Sequence, residues 1–140
     1  MNMKAILLLM VMILPVIVPM IESEDLDGTF RWVYITLPSD GSAEDHARVA
    51  FEYFFANGRY GVPESVEVLD IRLEGTSLTV DVSDAILSYG GSAFERALVA
   101  QLIKIAGEVP GVDRFTLAIE NEAGVLVYGT VCKSALLALI

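Results

Sequence analysis

The alternation of apolar and polar residues predicts strands and helices in turn along residues 30–131. In four stretches apolar residues recur at every second position or β-branched and aromatic side chains are frequent, which is typical of β-strands. These stretches are Phe30–Leu37, Val66–Leu73, Leu78–Ser83 and Phe115–Ile119. Two other stretches place apolar residues three and four positions apart, the period of an amphipathic helix. They are residues 43–56 and 92–107.

Short motifs mark the ends of both predicted helices. Ser42-x-x-Asp45 and Ser92-x-x-Glu95 resemble capping boxes, in which side chains bond to the free backbone N–H groups of the first helical turn. A glycine stands at the end of each predicted helix, where glycine commonly terminates helical structure. The motifs therefore support the two helices that the apolar spacing predicts.

The predicted order of elements is β-α-β-β-α-β, with Val125–Tyr128 as a further strand after a turn at residues 121–124. Strands joined through a helix tend to be parallel neighbours, and strands joined by a tight turn tend to be antiparallel. The pattern thus predicts an α/β (α+β) fold, with a small mixed sheet of about 4–5 strands and both helices on one face. No repeat or low-complexity linker divides residues 30–131, so one domain is expected.

The first 21 residues are almost entirely apolar and carry a single charge, Lys4. A basic residue before an uncharged run, with acids after it, is typical of a signal peptide or an N-terminal membrane anchor, and it places the remainder outside the cytoplasm. Residues 5–21 would contact the membrane, and cleavage and retention both stay open. A buried core helix is a third explanation. The resulting division is signal or anchor 1–21, acidic linker 22–29, domain 30–131 and apolar tail 132–140.

Composition narrows the classes of function. The 140 residues include 19 acidic and 9 basic side chains, for a formal net charge of −10. Nucleic-acid binding is not expected, because affinity for phosphates comes from clustered Lys and Arg. A single cysteine excludes an internal disulfide framework and a CxxC metal or redox site, and a single histidine leaves little for a zinc site or a catalytic triad.

No residue pattern nominates an active site. His46 has no evident nucleophile or orienting partner in the sequence, so it is interpreted as a solvated surface residue. Asp81 and Asp84 offer carboxylates for Ca²⁺, but a calcium site needs several oxygens in a defined loop, and Asp81 is predicted to face outwards. Gly90-Gly91 precedes a helix N-terminus but lacks the lysine of a phosphate-binding loop. The chain is therefore predicted not to be an enzyme and not to bind a cofactor or a metal.

Phe30, Trp32 and Tyr34 are the candidate interaction surface. They share one face of the first predicted strand, opposite Val33 and Ile35. Packing in the core is the favoured explanation for this aromatic face. If the face is accessible to solvent instead, it would suit a protein or a glycan, because aromatic side chains are enriched at binding surfaces.

Residues 61–129 resemble the GerM domain of sporulation and spore germination proteins. The resemblance rests on short motifs whose order and spacing agree with the family pattern. These motifs are Gly61-Val62-Pro63-Glu64-Ser65, Val68-Leu69-Asp70-Ile71, Glu74-Gly75, Leu78-Thr79-Val80-Asp81-Val82-Ser83, Gly91-Ser92 and Val109-Pro110-Gly111-Val112. The sequence departs from the pattern in the turns at residues 57–61 and 122–124.

The resemblance implies a small extracytoplasmic module, anchored to the cytoplasmic membrane or secreted, that works through protein contacts and not through catalysis. Its implied partners are envelope or sporulation-complex proteins, with self-association as a further expectation. Unlike the lipoprotein members of the family, the chain has no cysteine just after the apolar segment to accept a lipid. A module that binds peptidoglycan through exposed aromatic residues is the alternative, and a wall hydrolase using two carboxylates ranks third.

Overall fold

The computed structural model describes residues 15–39, 41–88, 90–123 and 135–136. Its elements in chain order are β1 (Val16–Glu24), β2 (Phe30–Leu37), α1 (Ala43–Asn57), β3 (Val68–Glu74), β4 (Ser77–Val82), a 3-10 turn (Asp84–Leu87), α2 (Ser92–Gly107), β5 (Arg114–Ile119), β6 (Glu122–Ala123) and β7 (Ala135–Leu136). The order from β2 to β5 confirms the predicted β-α-β-β-α-β succession and the α+β class. The predicted strand over Val125–Tyr128 lies outside the described residues.

The strands form two sheets, which corrects the prediction of a single sheet. β1 and β2 pair antiparallel as a two-stranded hairpin. In the larger, mixed sheet β4 lies between β3, which is antiparallel to it, and β5, which is parallel. β6 and β7 both pair with β5. Among the described strands, β2 pairs only with β1, which the sequence pattern assigns to the N-terminal segment.

Strand β1 overlaps two of the segments predicted at the N-terminus. The predicted signal or anchor over residues 1–21 and the predicted linker over 22–29 both overlap the hairpin, because residues 16–24 form its first strand. What remains of the linker is a tight turn, in which Asp25 donates a 2.8 Å backbone hydrogen bond to Thr29. No helix in the described part of the chain is long and apolar enough to cross a membrane.

β1 is buried on both faces, which explains its apolar sequence. Val16, Val18 and Met20 lie in the hydrophobic core, and Pro19 and Ile21 on the opposite face are buried as well. A strand that is covered on both sides has no polar alternation and forms a continuous apolar run. By composition alone, such a strand cannot be told from the end of an export or membrane segment.

The outer edge of β1 is closed by one side chain. The fully buried Gln101 of α2 accepts a 2.7 Å hydrogen bond from the N–H of Ile21. Its amide nitrogen donates to the carbonyl oxygens of Tyr60 at 2.8 Å and Ala97 at 3.1 Å. Because alternate residues of a strand direct their N–H groups to the same edge, the nitrogen of Pro19 also faces this edge, where its missing N–H leaves nothing unpaired.

Both predicted helices are present, but only one of them has the predicted cap. The Ser42 hydroxyl accepts a 3.0 Å hydrogen bond from the N–H of Asp45, which confirms the cap at the start of α1. The capping box at the start of α2 is wrong, because the N-cap is Gly91 and Ser92 already lies inside the helix. Gly91 has a φ of 125°, a conformation that side chains with a Cβ rarely adopt.

The two helices, β1 and the larger sheet share one hydrophobic core. Both helices contact β1, and α1 also contacts β3. Phe51 of α1 stacks on Phe115 of β5, with ring centroids 5.8 Å apart and planes inclined by 2°. Most of the largest fully buried side chains come from the two helices and the larger sheet. They include Phe51, Phe54, Leu78, Leu98, Leu102, Ile105, Phe115 and Leu117.

The turn between β5 and β6 depends on a buried carboxylate. Asp81, which the alternation predicts to face outwards, is buried and accepts a 2.9 Å hydrogen bond from the N–H of Asn121. Glu120 and Asn121 both have positive φ, at 50° and 64°, as the central residues of a type I′ turn do. The turn thus lies at residues 120–121 and not at the predicted 121–124. Asp81 offsets the strain of this turn by satisfying a backbone N–H.

Candidate interaction surface

The three aromatic residues singled out in the sequence lie together on β2 but outside the core. We call Phe30, Trp32 and Tyr34 the aromatic strip. Other β2 side chains pack against the core, namely Val33, Ile35 and Leu37. Phe30 and Trp32 are half-buried, with ring centroids 6.4 Å apart in an edge-to-face arrangement, and Tyr34 is 54% exposed. The favoured interpretation of this face as core packing is therefore wrong.

Two cations of α2 lie over the aromatic strip. The Arg96 guanidinium is 4.8 Å from the ring centroid of Phe30. The Lys104 ammonium is 4.4 Å from the centroid of Trp32 and 5.8 Å from that of Tyr34. A cation at these distances is attracted by the negative face of an aromatic ring. The strip therefore combines apolar area with positive charge, in a chain whose formal net charge is −10.

Glu24 fixes one end of the strip. Its carboxylate accepts a 2.7 Å hydrogen bond from the hydroxyl of Tyr60 and a charge-assisted bond from Arg96. The hydrogen bond to Glu24 raises the pKa of Tyr60, although the nearby Arg96 acts in the opposite direction. Tyr60 in turn packs edge-on against Phe94, with centroids 5.4 Å apart. These contacts hold the end of the hairpin against the start of α2 and orient Arg96 beside Phe30.

The family motif at residues 61–65 forms a shallow cleft next to this cluster. The cleft has a volume of about 230 Å³ and is lined by Arg59, Gly61, Val62, Pro63, Glu64, Ser88, Gly90 and Phe94. Gly61 has a φ of 72°, and a Cβ at this position would lie 2.8 Å from the backbone oxygen of Phe94. The glycine is thus required because the loop passes close to α2. Within the described residues, no group of three or more His, Cys, Asp or Glu side chains is placed to hold a metal ion.

A second family motif, Leu78–Ser83, also serves the fold. Ser83 donates its backbone N–H to the carbonyl of Glu67 at 2.9 Å, and its hydroxyl accepts from the N–H of Glu67 at 2.9 Å. Asp81 of the same motif holds the turn after β5. Ser83 and Asp81 therefore form hydrogen bonds with backbone groups. The motif indicates the fold and does not indicate a catalytic or binding site.

His46 is not the surface residue that the sequence predicts. Only 4% of it is exposed, and its Nε2 atom has no hydrogen-bond partner. Burial lowers the pKa of His46, while the carboxylates of Glu108 and Asp45 act in the opposite direction. The sequence missed this burial because polar neighbours surround His46 along the chain. Its neutral form fills space at the start of α1.

Sequence reasoning found the aromatic strip but not the groups that complete it. Arg96 and Lys104 belong to the polar face of α2, whereas the helix was predicted from its apolar face and its terminal motifs. Glu24 lies in the segment predicted to be a linker. No local signal connects these residues to β2, because their contacts join positions far apart in the chain.

The fold and the strip define a small α+β domain that presents an aromatic and cationic surface. Residues 22–125 match the sequence model of the Germane family, described as sporulation and spore germination, and the chain belongs to this family. The match begins inside β1 and includes the whole aromatic strip. A comparison with curated proteins gives no match.

Solved structures support the same fold. The first GerMN domain of the sporulation protein GerM from Bacillus subtilis has a TM-score of 0.65 at 18% identity, covering 91% of this chain and 98% of that domain. The tandem GerMN domains of the same protein have a TM-score of 0.60 at 15% identity, covering 89% of this chain and 45% of the tandem. A Clostridium perfringens protein provisionally named a lipoprotein has a TM-score of 0.60 at 11% identity, covering 89% and 87%. This chain thus spans less than half of the tandem structure.

Proposed function

We propose that this chain is a non-catalytic, extracytoplasmic contact domain that acts by protein–protein interaction in envelope assembly during sporulation or spore germination. Membership of the Germane family supports the biological setting. The observation that carries the contact role is the aromatic strip, which lies outside the core and keeps Tyr34 54% exposed. An exposed group of aromatic rings on a stable domain is typical of a binding surface.

The strip favours a partner that presents acidic and apolar side chains together. Lys104 supplies positive charge beside the rings, and Trp32 and Tyr34 supply apolar area. The charge of Arg96 is paired with Glu24. Aromatic residues and arginine are both enriched at the centres of protein interfaces. The rings are held by cations, and Glu24 in turn holds Arg96. Rings that are held in this way lose little conformational freedom on binding, which favours affinity.

The proposed location outside the cytoplasm rests on the N-terminal sequence. Because β1 includes residues 16–21, the uncharged apolar segment that precedes the domain is residues 5–14. About 10–14 apolar residues are typical of the central region of an export signal and are short for a helix that spans a bilayer. We therefore favour export over a membrane span across residues 5–21.

A peptidoglycan-binding module is the second candidate. Sugar rings can stack on exposed aromatic faces, and the exposed ring of Tyr34 favours this function. The position of Lys104 disfavours it, because its ammonium occupies one face of the Trp32 ring at 4.4 Å from the centroid. The protein-contact function is the better supported of the two.

The test combines cross-linking pull-down with wall pelleting. The tagged full-length chain is recovered from sporulating and vegetative cells, and the purified chain is sedimented with cell-wall sacculi. We expect envelope proteins to be enriched from sporulating cells and lost with the double variant Trp32→Ala/Tyr34→Ala. Leu26→Ala is the matched control, since it removes a fully exposed apolar side chain at the hairpin tip. Pelleting with sacculi that depends on Trp32 and Tyr34, without protein enrichment, would support the wall module instead.

A further inference from the structure

The outer edge of β3 is unpaired among the described residues. β3 pairs with β4 on one side only, and in the larger sheet it is the terminal strand. At the end of β4, the N–H of Ser83 donates to the carbonyl of Glu67, the residue before β3, and the carbonyl of Val82 accepts from Glu120 on the other side. Backbone groups alternate along a strand, so in β3 those of Ile71 and Leu73 point to the free edge. Such an edge is a template for a further strand.

The exposed face of β3 carries alternating charges. Asp70, Arg72 and Glu74 are all exposed, and Arg72 Nε lies 3.4 Å from Asp70 Oδ2. The other face contacts the core through Ile71 and Leu73. Natural sheets often protect free edges with charges that repel a second strand. Whether the charges of β3 repel or attract a second copy depends on which residues come opposite one another.

We propose that two copies of this chain pair through β3, antiparallel, about a two-fold axis at Ile71. Ile71 is the midpoint of Val68–Glu74, so this register overlaps the two strands fully, with the bulge at Leu69 near one end of each. It is also a register in which the outward backbone groups of Ile71 face those of Ile71 in the second copy. The pairing extends each larger sheet across the axis into one continuous sheet.

The charges of β3 fit this register. Asp70 comes opposite Arg72 of the second copy, and Arg72 opposite Asp70, so four charges of alternating sign form a square. Opposite charges directly across an antiparallel pair stabilise it, and like charges destabilise it. Two-fold registers centred on Asp70 or Arg72 would bring like charges together. A register centred on Leu73 would pair only the last residues of the strand.

A bulge bounds the regular part of β3 at one end. Leu69 is 44% exposed, and it is the extra residue where the β3–β4 register shifts between Val68 and Asp70. The charge pairs lie within the regular part of the strand, at Asp70 and Arg72 on either side of Ile71. The proposal goes beyond the contact role of the aromatic strip and does not depend on it.

Charge reversal across the register provides the test. Sedimentation velocity of the full-length chain at physiological ionic strength is measured over a range of concentrations, for the wild type and for Asp70→Arg, Arg72→Asp and the double variant. Each single change puts four like charges in the square, and we expect the dimer to weaken about tenfold or more. The double variant restores alternating charges, and we expect it to dimerise as the wild type does.

Arg31→Asp is the matched control. It reverses an exposed arginine that pairs with Asp25 at 3.1 Å on the hairpin, away from β3, and should leave the dimer unchanged. Trp32→Ala/Tyr34→Ala should also leave it unchanged, which separates this proposal from the function of the strip. A wild-type chain that stays monomeric would overturn the inference. So would a dimer that is insensitive to Arg72→Asp or a double variant that fails to recover it.

Discussion

The two strands of the hairpin are paired along their whole length, yet their surroundings are opposite. β1 is buried on both faces from Val18 to Ile21, and Gln101 closes its outer edge. β2 packs one set of side chains against the core and leaves the aromatic strip at the surface, with Tyr34 more than half exposed. The first strand therefore contributes mainly to stability, and the second carries the surface available for binding.

Removal of β1 is the strongest test of the different roles of the two strands. A chain that begins at Glu22 lacks the buried Pro19 and four further buried apolar side chains, those of Val16, Val18, Met20 and Ile21. At about 1.5–3 kcal/mol for each buried side chain, the loss is comparable to the whole stability of a small domain. We expect this chain to show no cooperative unfolding by circular dichroism.

A chain that begins at Pro15 is the control for this truncation. It retains β1 and should unfold cooperatively, because no residue of the strand is missing. If the chain from Glu22 unfolded with the same midpoint as the chain from Pro15, β1 would not be part of the stable domain. The domain would then begin after the segment predicted to be a signal or anchor, residues 1–21.

Replacing Gln101 tests the edge of β1 without removing the strand. Gln101→Leu leaves the N–H of Ile21 and the carbonyl of Tyr60 without their partner in a buried environment. Each buried polar group left unpaired costs about 1–3 kcal/mol, so we expect a loss of about 2–4 kcal/mol in the free energy of unfolding. Urea denaturation measures it. Ala93→Leu, at an exposed position of α2, should change stability little, and an equal loss there would contradict the role of Gln101.

The sequence predicted the elements whose patterns are local, and it missed the contacts that are not. Apolar and polar residues alternate clearly in β4, a strand of a sheet that is covered by the core on one face. α1 begins with the predicted serine cap. β1 was missed because burial on both faces removes the alternation. The aromatic strip was visible on β2, but its exposure depends on where α2 packs. Lys104 lies 72 positions from Trp32 in the sequence, and no local pattern joins them.

The pH dependence of stability distinguishes a buried from an exposed His46. Burial lowers the pKa of His46 below the ordinary histidine value of 6.5, so the unfolded chain binds more protons than the folded one just below that pH. Stability contributed by the neutral imidazole is therefore lost as the pH falls through this range. We expect His46→Leu, which cannot take up a proton, to lose less stability than the wild type between pH 7 and about pH 5. Parallel pH profiles for the two proteins would contradict the buried position.

The smallest expected effect concerns the aromatic strip, where Lys104→Met removes the ammonium over Trp32 and keeps the length of the side chain. A partly exposed cation–π contact contributes about 0.5–1 kcal/mol, so we expect a loss of stability well below that of Gln101→Leu. Trp32 is the single tryptophan of the chain, so its fluorescence reports on this contact directly. We expect the emission of Trp32 to change in Lys104→Met and to stay near that of the wild type in Lys104→Arg, which keeps the cation.

Arg31→Met is the control for the strip, because it removes an exposed cation of β2 that pairs with Asp25. It should leave the emission of Trp32 unchanged. If Lys104→Met matched the wild type in emission and stability, the ammonium would not rest on the ring, and the face of Trp32 below it would be open to a ligand. That result would remove the argument against stacking of a sugar on Trp32 and make the peptidoglycan-binding function the stronger candidate.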